Sequence, residues 1–229
     1  MARFPTLQPS SERAATLSRT IIQADALTWL DEHSAEPHTS VITSLPDVTE
    51  LPGRDLGHWR RWFGEAARRV LRWVPDDGVA VFHQSDIQRE GRWIDKGYLV
   101  SRAAEDEGVP LLWHKIVCRK PPGSLLHGRA SYSHLLCFSR EVRAPIEKPT
   151  PDVLADAGFM PWSKATGVAS CALACTFIQA QTTTRLVVDP FCGSGTILAV
   201  AGLHGFDTIG IDVSARRCRA ARKLVLPEP

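Results

Sequence analysis

The chain has 229 residues, is 44% hydrophobic and carries a formal net charge of +2, so it can bury one sizeable core. This nearly balanced charge neither demands nor excludes a polyanionic partner. No apolar run approaches the roughly 18 residues of a membrane span, and the N-terminus lacks the apolar stretch of a secretion signal. We therefore expect a cytoplasmic protein with no membrane partner.

The order of the apolar runs predicts strands that alternate with helices. Residues 1–18 are expected to form a flexible leader. The predicted strands, in chain order, lie in TIIQ, SVIT, GVAVFHQ, PLLWHKIVC, SYSHLLCFSR, RLVVD and DTIGID. Helical spacing of apolar residues follows most of them, and a PPG turn joins the two strands that we expect to pair antiparallel. This pattern predicts an α/β fold, with helices on both faces of a seven-stranded, mainly parallel sheet.

The six cysteines are predicted to be buried free thiols. Most lie inside apolar runs, and none forms a CxxC pair. Cys171 and Cys175 could share a helix face, but no second pair or histidine cluster completes a metal site. We expect no metal and a reducing compartment.

The stretch VVDPFCGSGT (187–196) is the most informative in the chain. A strand delivers Asp189, and Gly193 and Gly195 allow a tight turn before a helix whose first N–H groups are free. Asp212 ends the next strand, seventeen residues after Gly195, where it could accept hydrogen bonds from a ribose. The G-x-G-x-x-G pattern of dinucleotide sites is not met, so a ligand with little or no phosphate is favoured. The alternative is a plain strand-to-helix turn.

The run DPFCGSGT resembles the cofactor motif of the S-adenosylmethionine-dependent amino-methyltransferases that act on nucleic-acid bases. The resemblance implies the class I methyltransferase fold, which is Rossmann-like with one antiparallel strand, and it implies S-adenosyl-L-methionine as the cofactor. In that family the loop cradles the methionine part, and the acid at the end of the next strand holds the ribose. The implied cofactor-binding residues are Asp25, Asp189, Pro190, Phe191, Cys192, Gly193, Gly195, Thr196 and Asp212.

The order of the segments resembles the permuted β group of the same family. Such chains begin with the third strand of the sheet and its acidic residue, here Asp25, a predicted adenine contact. The catalytic loop follows the fourth strand, and the cofactor motif comes near the C-terminus. The resemblance covers nearly residues 20–225. It implies one domain over 19–229, with a catalytic half at 19–140 and a cofactor-binding half at 160–226.

The stretch TSLPD (43–47) follows the predicted fourth strand. Proline cannot extend a sheet, so these residues are predicted to form a rigid loop at a strand end, where open α/β sheets bind ligands. In the family this loop reads Asp, Asn or Ser, then Pro-Pro, then an aromatic ring that stacks on the flipped base. The resemblance makes the catalytic residues Ser44, Leu45, Pro46 and Asp47.

The loop departs from the family at Leu45 and Asp47, because the stacking ring is missing. Asp47 could accept a proton or a hydrogen bond, or it could instead cap the turn at DVTE. Substrate residues that could replace the ring are Trp113, His114 and Tyr132, with His83, Asp86 and Lys115 as weaker candidates. Each of these could instead be a core aromatic residue or a loop cap.

The substrate is predicted to be RNA rather than DNA. Only residues 141–163 separate the last hairpin from the following helix, which is too short for an independent reader of DNA sequence. Basic clusters at 60–73, 118–129 and 214–223 could hold phosphates, or could be solvated faces. We expect N-methylation of a base in transfer or ribosomal RNA. The alternatives are a DNA N6-adenine or N4-cytosine methyltransferase, and a non-catalytic RNA-binding scaffold. The chain could be a homodimer or an accessory subunit.

Overall fold

The computed structural model describes residues 17–51, 53, 55–145, 147, 149–162 and 165–227. The predicted leader therefore lies outside the described residues, apart from Leu17 and Ser18. The strands are β1 (Arg19–Gln23), β2 (Thr39–Thr43), β3 (Ala80–Gln84), β4 (Ile87–Arg89), β5 (Arg92–Ile94), β6 (Leu111–Cys118), β7 (Tyr132–Phe138), β8 (Val153–Leu154), β9 (Leu186–Asp189) and β10 (Asp207–Asp212). The helices are α1 (Ala26–Glu32), α2 (Leu56–Trp73), α3 (Lys96–Asp106), α4 (Val168–Gln181), α5 (Thr196–Leu203) and α6 (Ala215–Lys223), with a 3-10 turn at Val48–Glu50.

Eight strands form one sheet in the order β1-β10-β9-β2-β3-β7-β6-β8. The strands from β1 to β3 in this order are parallel, and β7 is antiparallel to both of its neighbours. β8 pairs parallel with β6. The predicted α/β architecture, the single antiparallel strand and the pairing of β6 with β7 are confirmed.

The predicted count of seven strands is wrong, because β8 lies within residues 141–163, where the weak apolar periodicity predicts a loop. Its two residues extend the sheet where Ile116 N–H donates to the Asp152 carbonyl, at 2.8 Å. A second pair of strands, β4 and β5, forms a separate hairpin that the apolar pattern did not indicate. Strands of two or three residues are too short to show a periodicity, so neighbouring chain segments decide whether they form.

The sheet is covered on both faces. Buried residues of α1, α2 and α3 pack on one face with Val41, Phe82 and Leu136. Buried residues of α4 and α5 pack on the other, against side chains such as Ile42 and Val81. All six cysteines are free and buried, as predicted. No helix within the described ranges is long and apolar enough to cross a membrane.

The carboxyl ends of the parallel strands open on one edge of the sheet, here called the carboxyl edge. β9 leads into α5 on one face, whereas the chain after β2 continues to α2 on the other. The connections therefore diverge between two adjacent strands. In open α/β sheets this switch point leaves a crevice that binds ligands.

Gly210 in β10 provides a test of this packing. A Cβ there would lie 2.9 Å from the Cβ of Cys192 and would also meet Leu198, so Gly210→Ala is expected to lower the free energy of unfolding by about 1–3 kcal/mol. The matched control is Gly202→Ala in α5, where a Cβ meets nothing within 4 Å. We expect this control to be neutral or slightly stabilising in urea unfolding. Equal losses in the two variants would contradict the packing described here.

Candidate functional site

The SLPD loop (44–47) and the cofactor-motif loop (189–196) leave neighbouring strands at the carboxyl edge. β2 and β9 are parallel, with Val41 opposite Val188. Two residues further along β2, beyond that pairing, the Thr43 hydroxyl donates to Oδ1 of Asp189 at 2.7 Å. Both side chains are buried. The two loops are therefore held side by side by a direct hydrogen bond.

Asp189 is a buried carboxyl group at the centre of this arrangement. Its Oδ1 also accepts the backbone N–H of Phe191, at 3.1 Å. Burial raises the pKa of Asp189 to about 7, against the lowering effect of the hydrogen bonds from Thr43 and Phe191, and the charge of Asp212 adds to the rise. The group can thus change its protonation state near neutral pH.

The cofactor-motif loop turns on its two glycines. Gly193 and Gly195 have positive φ angles of 53° and 90°, which favour glycine. A Cβ at Gly195 would lie 2.9 Å from the Cβ of Ala221, whereas one at Gly193 would meet nothing within 4 Å. Thr196, the first residue of α5, has a buried hydroxyl with no partner among the described residues. The loop thus leaves open space above Gly193 and an unused hydroxyl group.

Asp212 ends β10 beside this loop. Its Oδ2 accepts the N–H of Gly193 at 3.2 Å, and its Oδ1 accepts the N–H of Ser214 at 2.7 Å. Arg217 of α6 lies 3.7 Å from Oδ2 and forms a 2.7 Å ion pair with Glu50, which follows the SLPD loop. Arg217 thus links Glu50, in the predicted catalytic half, to Asp212, in the predicted cofactor-binding half.

Two tryptophans of α2 support the two loops from one face. The Trp59 indole N–H donates to the Pro46 carbonyl at 3.2 Å, and the side chain is fully buried. The Trp62 ring meets the Phe191 ring edge-on, with centroids 5.9 Å apart. Because these tryptophans are three residues apart, they lie on one helix face. α2 therefore sets the positions of both loops.

Within the SLPD loop, Leu45 is buried while Ser44, Pro46 and Asp47 are partly exposed. The backbone N–H of Asp47 donates to Oε1 of Glu50 at 3.3 Å. Oδ1 of Asp47 is buried and has no partner in the part of the chain that the structure describes. A buried carboxylate oxygen without a partner costs free energy, so it is a natural place for a substrate group to bind.

Lys96, at the start of α3, is a residue that the sequence analysis missed. It is only 4% exposed. Burial lowers the pKa of Lys96, and the charges of Asp47, Asp86 and Glu50 oppose that change. A lysine in the first turn of a helix is electrostatically unfavourable, and this unusual placement in IDKG is the signal that could have found it.

Two predicted substrate residues, His114 and Tyr132, join a network around Asp86. Tyr132 donates to Oδ2 of Asp86 at 3.3 Å, and Nε2 of His134 lies 3.0 Å from the same atom. Nδ1 of His134 is hydrogen-bonded to Nε2 of His114 at 2.9 Å.

Burial would raise the pKa of Asp86, but the hydrogen bonds of His134 and of the Lys96 N–H keep it below its ordinary value. The Asp86, Asp95 and His134 ligand atoms lie within 4.8 Å, close enough to hold a metal ion.

The structure places the remaining candidates away from the two loops. Trp113 packs edge-on against Phe177 of α4, on the opposite face of β6 from His114. Lys115 donates to the Thr150 and Pro151 carbonyls and so anchors the chain before β8.

Asp25 and His83 are two further predicted site residues that lie at or near the carboxyl edge. Oδ1 of Asp25 caps α1 by accepting the N–H groups of Leu27 and Thr28, both at 3.0 Å. His83 is buried in β3, where burial and the charge of Arg119 lower its pKa to about 3. His83 is therefore neutral at physiological pH.

Three of the five arginines in the basic cluster at 60–73 are paired with carboxylates. In α2, Arg68 pairs with Asp106 at 3.1 Å, and Arg72 pairs with Glu107 at 2.6 Å. Arg69 pairs with Asp31 and with Glu65 of its own helix. These contacts favour the alternative of a solvated helix face over a phosphate-binding role for this cluster.

Comparisons with known proteins agree with this geometry. A family model described as DNA methylase, of the N6/N4 methyltransferases, matches residues 169–223, which run from α4 to α6. A putative DNA modification methylase from Thermus thermophilus, solved with S-adenosyl-L-methionine, is 20% identical, with a TM-score of 0.65 over 90% of this chain and 94% of that one. The chain has the class I methyltransferase fold. The predicted resemblance to the amino-methyltransferases is thereby confirmed.

Two further solved structures share this methyltransferase fold. PvuII DNA methyltransferase, described as cytosine-N4-specific, is 18% identical, with a TM-score of 0.68 over 90% of this chain and 86% of that one. The M1.HpyAVI–SAM complex is 17% identical, with a TM-score of 0.58 over 90% and 98%. A search of curated proteins found no match.

The raised pKa of Asp189 predicts a pH-dependent stability. The folded state holds the proton up to about pH 7, whereas the unfolded chain releases it near 3.8, so wild-type stability falls as the pH rises between these values. Asp189→Asn lacks this proton release. We therefore compare the free energy of unfolding of the wild type with that of Asp189→Asn at each pH. The difference, wild type minus variant, is expected to fall by up to about 4 kcal/mol from pH 4 to pH 7 and to stay constant above pH 7.

Urea unfolding at several pH values measures this difference. Glu105→Gln, at an exposed position of α3, is the control and should follow the wild type throughout. Parallel curves for the wild type and Asp189→Asn would show that the pKa of Asp189 is not raised.

Proposed function

We propose that this chain is an S-adenosylmethionine-dependent methyltransferase that acts on the exocyclic amino group of adenine or cytosine in DNA. The observation that carries the proposal is the hydrogen bond from Thr43 to Asp189, which holds the SLPD loop beside the cofactor-motif loop. The matching family model is described as DNA methylase, and two of the solved structures reported above are named a putative DNA modification methylase and a DNA methyltransferase. These comparisons favour DNA over the RNA substrate that the sequence analysis preferred.

The residues around the cofactor-motif loop fit S-adenosylmethionine. The space above Gly193 is open, and the buried Thr196 hydroxyl lacks a partner among the described residues. A carboxylate has about four acceptor positions, so Asp212 can keep its bonds to the Gly193 and Ser214 N–H groups and still accept ribose hydroxyls. When bound, the cofactor supplies a methyl group that its sulfonium already activates, so no metal is needed.

The SLPD loop would position the amino group of the base. The Ser44 hydroxyl and the Leu45 carbonyl are the acceptors that could hold the two amino hydrogens, which directs the nitrogen lone pair toward the methyl donor. The Pro46 carbonyl is already bonded to Trp59, which fixes the loop in place. Catalysis would then depend mainly on alignment rather than on strong acid or base chemistry.

Asp47 would receive the proton that the amino group releases as it becomes methylated. Its Oδ1 is buried and has no partner within the described ranges, so a proton or an N–H donor would satisfy it. The buried Lys96, whose pKa the charge of Asp47 helps to raise against the effect of burial, would help to balance the charge of the ionised carboxylate. In this way a carboxylate can occupy the position where the family has a stacking ring.

The direct test is methyl transfer from labelled S-adenosylmethionine, followed by mass spectrometry of the nucleosides. With unmethylated genomic DNA we expect N6-methyldeoxyadenosine or N4-methyldeoxycytidine, and with total RNA we expect no product. If methylated nucleosides appear only in the RNA digest, the substrate is RNA and the proposal of DNA is wrong. Cofactor binding without transfer to either polymer would favour the non-catalytic alternative.

Asp47→Asn tests the role of the carboxylate. The substitution keeps the size of the side chain but removes the proton acceptor, so we expect kcat for DNA methylation to fall by about 100-fold or more. Calorimetric binding of S-adenosylhomocysteine should be unchanged, because Asp47 does not belong to the cofactor-motif loop. The control is Glu32→Gln, at an exposed position of α1. If Asp47→Asn methylates DNA at the wild-type rate, Asp47 is not the proton acceptor and only shapes the turn.

A further inference from the structure

Two segments meet at the carboxyl edge, beyond β3, and together form what we call the hairpin–loop surface: residues 87–94, which include β4 and β5, and residues 119–131, which join β6 to β7. Ile87 forms a β-bridge with Arg129, and the Gln88 N–H donates to the Gly128 carbonyl at 3.3 Å. The surface follows the buried Asp86 directly, so it continues from the candidate site.

The hairpin–loop surface is strongly basic. Its two segments contain five lysines or arginines and a single glutamate, a net charge of +4, whereas the whole chain carries only +2. The exposed cations are Arg89, Arg92, Lys120 and Arg129. Among the described residues, none of these four forms a salt bridge, in contrast to the paired arginines of α2. The charge of this surface is therefore available to a partner.

The hairpin keeps two features that cost stability. Arg89 lies directly opposite Arg92 in the β4–β5 register, and like charges at such positions repel. The turn between them places Glu90 at a φ of 50°, a conformation that non-glycine residues rarely adopt. The Arg89–Arg92 pair places two positive charges beside a tight two-residue turn. A polyanion bound there would offset the repulsion.

Large apolar side chains are interleaved with these cations. Trp93 is 56% exposed in β5, and Leu125 is 93% exposed in the loop. Nucleic-acid interfaces combine cations for the phosphates with apolar or aromatic side chains for the bases. A two-stranded ribbon is also narrow enough to enter the major groove of B-DNA.

The segment at 141–163, which the sequence analysis considered too short to read DNA sequence, makes several contacts with the sheet. Its β8 pairs with β6, and the Ala157 N–H donates to the Cys118 carbonyl at 3.0 Å. The Lys115 ammonium bonds to the carbonyls of Thr150 and Pro151. The described part of this segment is thus held against the sheet, which favours another part of the chain as the contact with the duplex.

We propose that the hairpin–loop surface binds the phosphate backbone and major groove of duplex DNA next to the target base. The inference rests on the proposed function and names the part of the chain that holds its substrate. It assigns phosphate contacts to Arg89, Arg92, Lys120 and Arg129, and contacts with base edges to Trp93. The compact loop at 141–163 then needs no reading role.

The test measures the salt dependence of binding to a 20-base-pair duplex in the presence of S-adenosylhomocysteine. Each lost phosphate contact reduces the slope of log K against log salt by about 0.9, so the double variant R89A/R92A should reduce it by about two and weaken binding by about tenfold or more. The charge-matched control is R102A/R185A, two exposed arginines outside this surface. The control should keep the wild-type slope, and both variants should bind S-adenosylhomocysteine as the wild type does.

An unchanged salt slope in R89A/R92A would overturn the inference. An equal loss of slope in the control R102A/R185A would overturn it too. So would a wild-type protein that binds RNA of the same length but does not bind DNA. Methyl transfer is measured separately on the wild type. If the wild type methylates DNA while R89A/R92A binds normally, the proposed function stands and this inference fails. If the wild type binds DNA with the expected slopes but transfers no methyl group, the surface assignment stands and the proposed function fails.

Discussion

The candidate site depends on the parallel pairing of β2 with β9. This pairing places two loops that are far apart in the chain beside each other, and the 2.7 Å hydrogen bond from Thr43 to Asp189 joins them at the carboxyl edge. The connections leave these two strands toward opposite faces, so a crevice opens between them. If the two strands were separated, neither loop alone would form a site for both a methyl donor and a base.

Several ionisable groups are buried around this crevice, and most of them have an identifiable counterpart. Asp212 is hydrogen-bonded by two backbone N–H groups, and Arg217 lies close to it. Lys96 is buried but lies in the field of Asp47, Asp86 and Glu50. The buried Oδ1 of Asp47, which has no partner among the described residues, is the exception and costs stability. The cost is concentrated at the site, which is where perturbed ionisable groups tend to occur.

The two proposals assign methyl transfer and DNA binding to different parts of the carboxyl edge. The crevice between β2 and β9 would hold the donor and the amino group, while the hairpin–loop surface would hold the duplex. Asp86 directly precedes the hairpin and accepts hydrogen bonds from Tyr132 and from the backbone N–H of Lys96. This division is consistent with the lack of acidic partners, among the described residues, for Arg89 and Arg92, whereas Arg68, Arg69 and Arg72 of α2 are paired with carboxylates.

The sequence by itself determined the α/β class, the antiparallel β6–β7 pair, the free cysteines and the resemblance carried by DPFCGSGT, because these depend on periodicity and on local turn chemistry. It also predicted Ser44–Asp47 and 189–196 as site loops. Only the tertiary structure decided that β8 and the β4–β5 hairpin form, that Trp113 faces α4, and that Lys96 and Arg217 approach the site. Those features depend on contacts between residues distant in the chain, which no local pattern records.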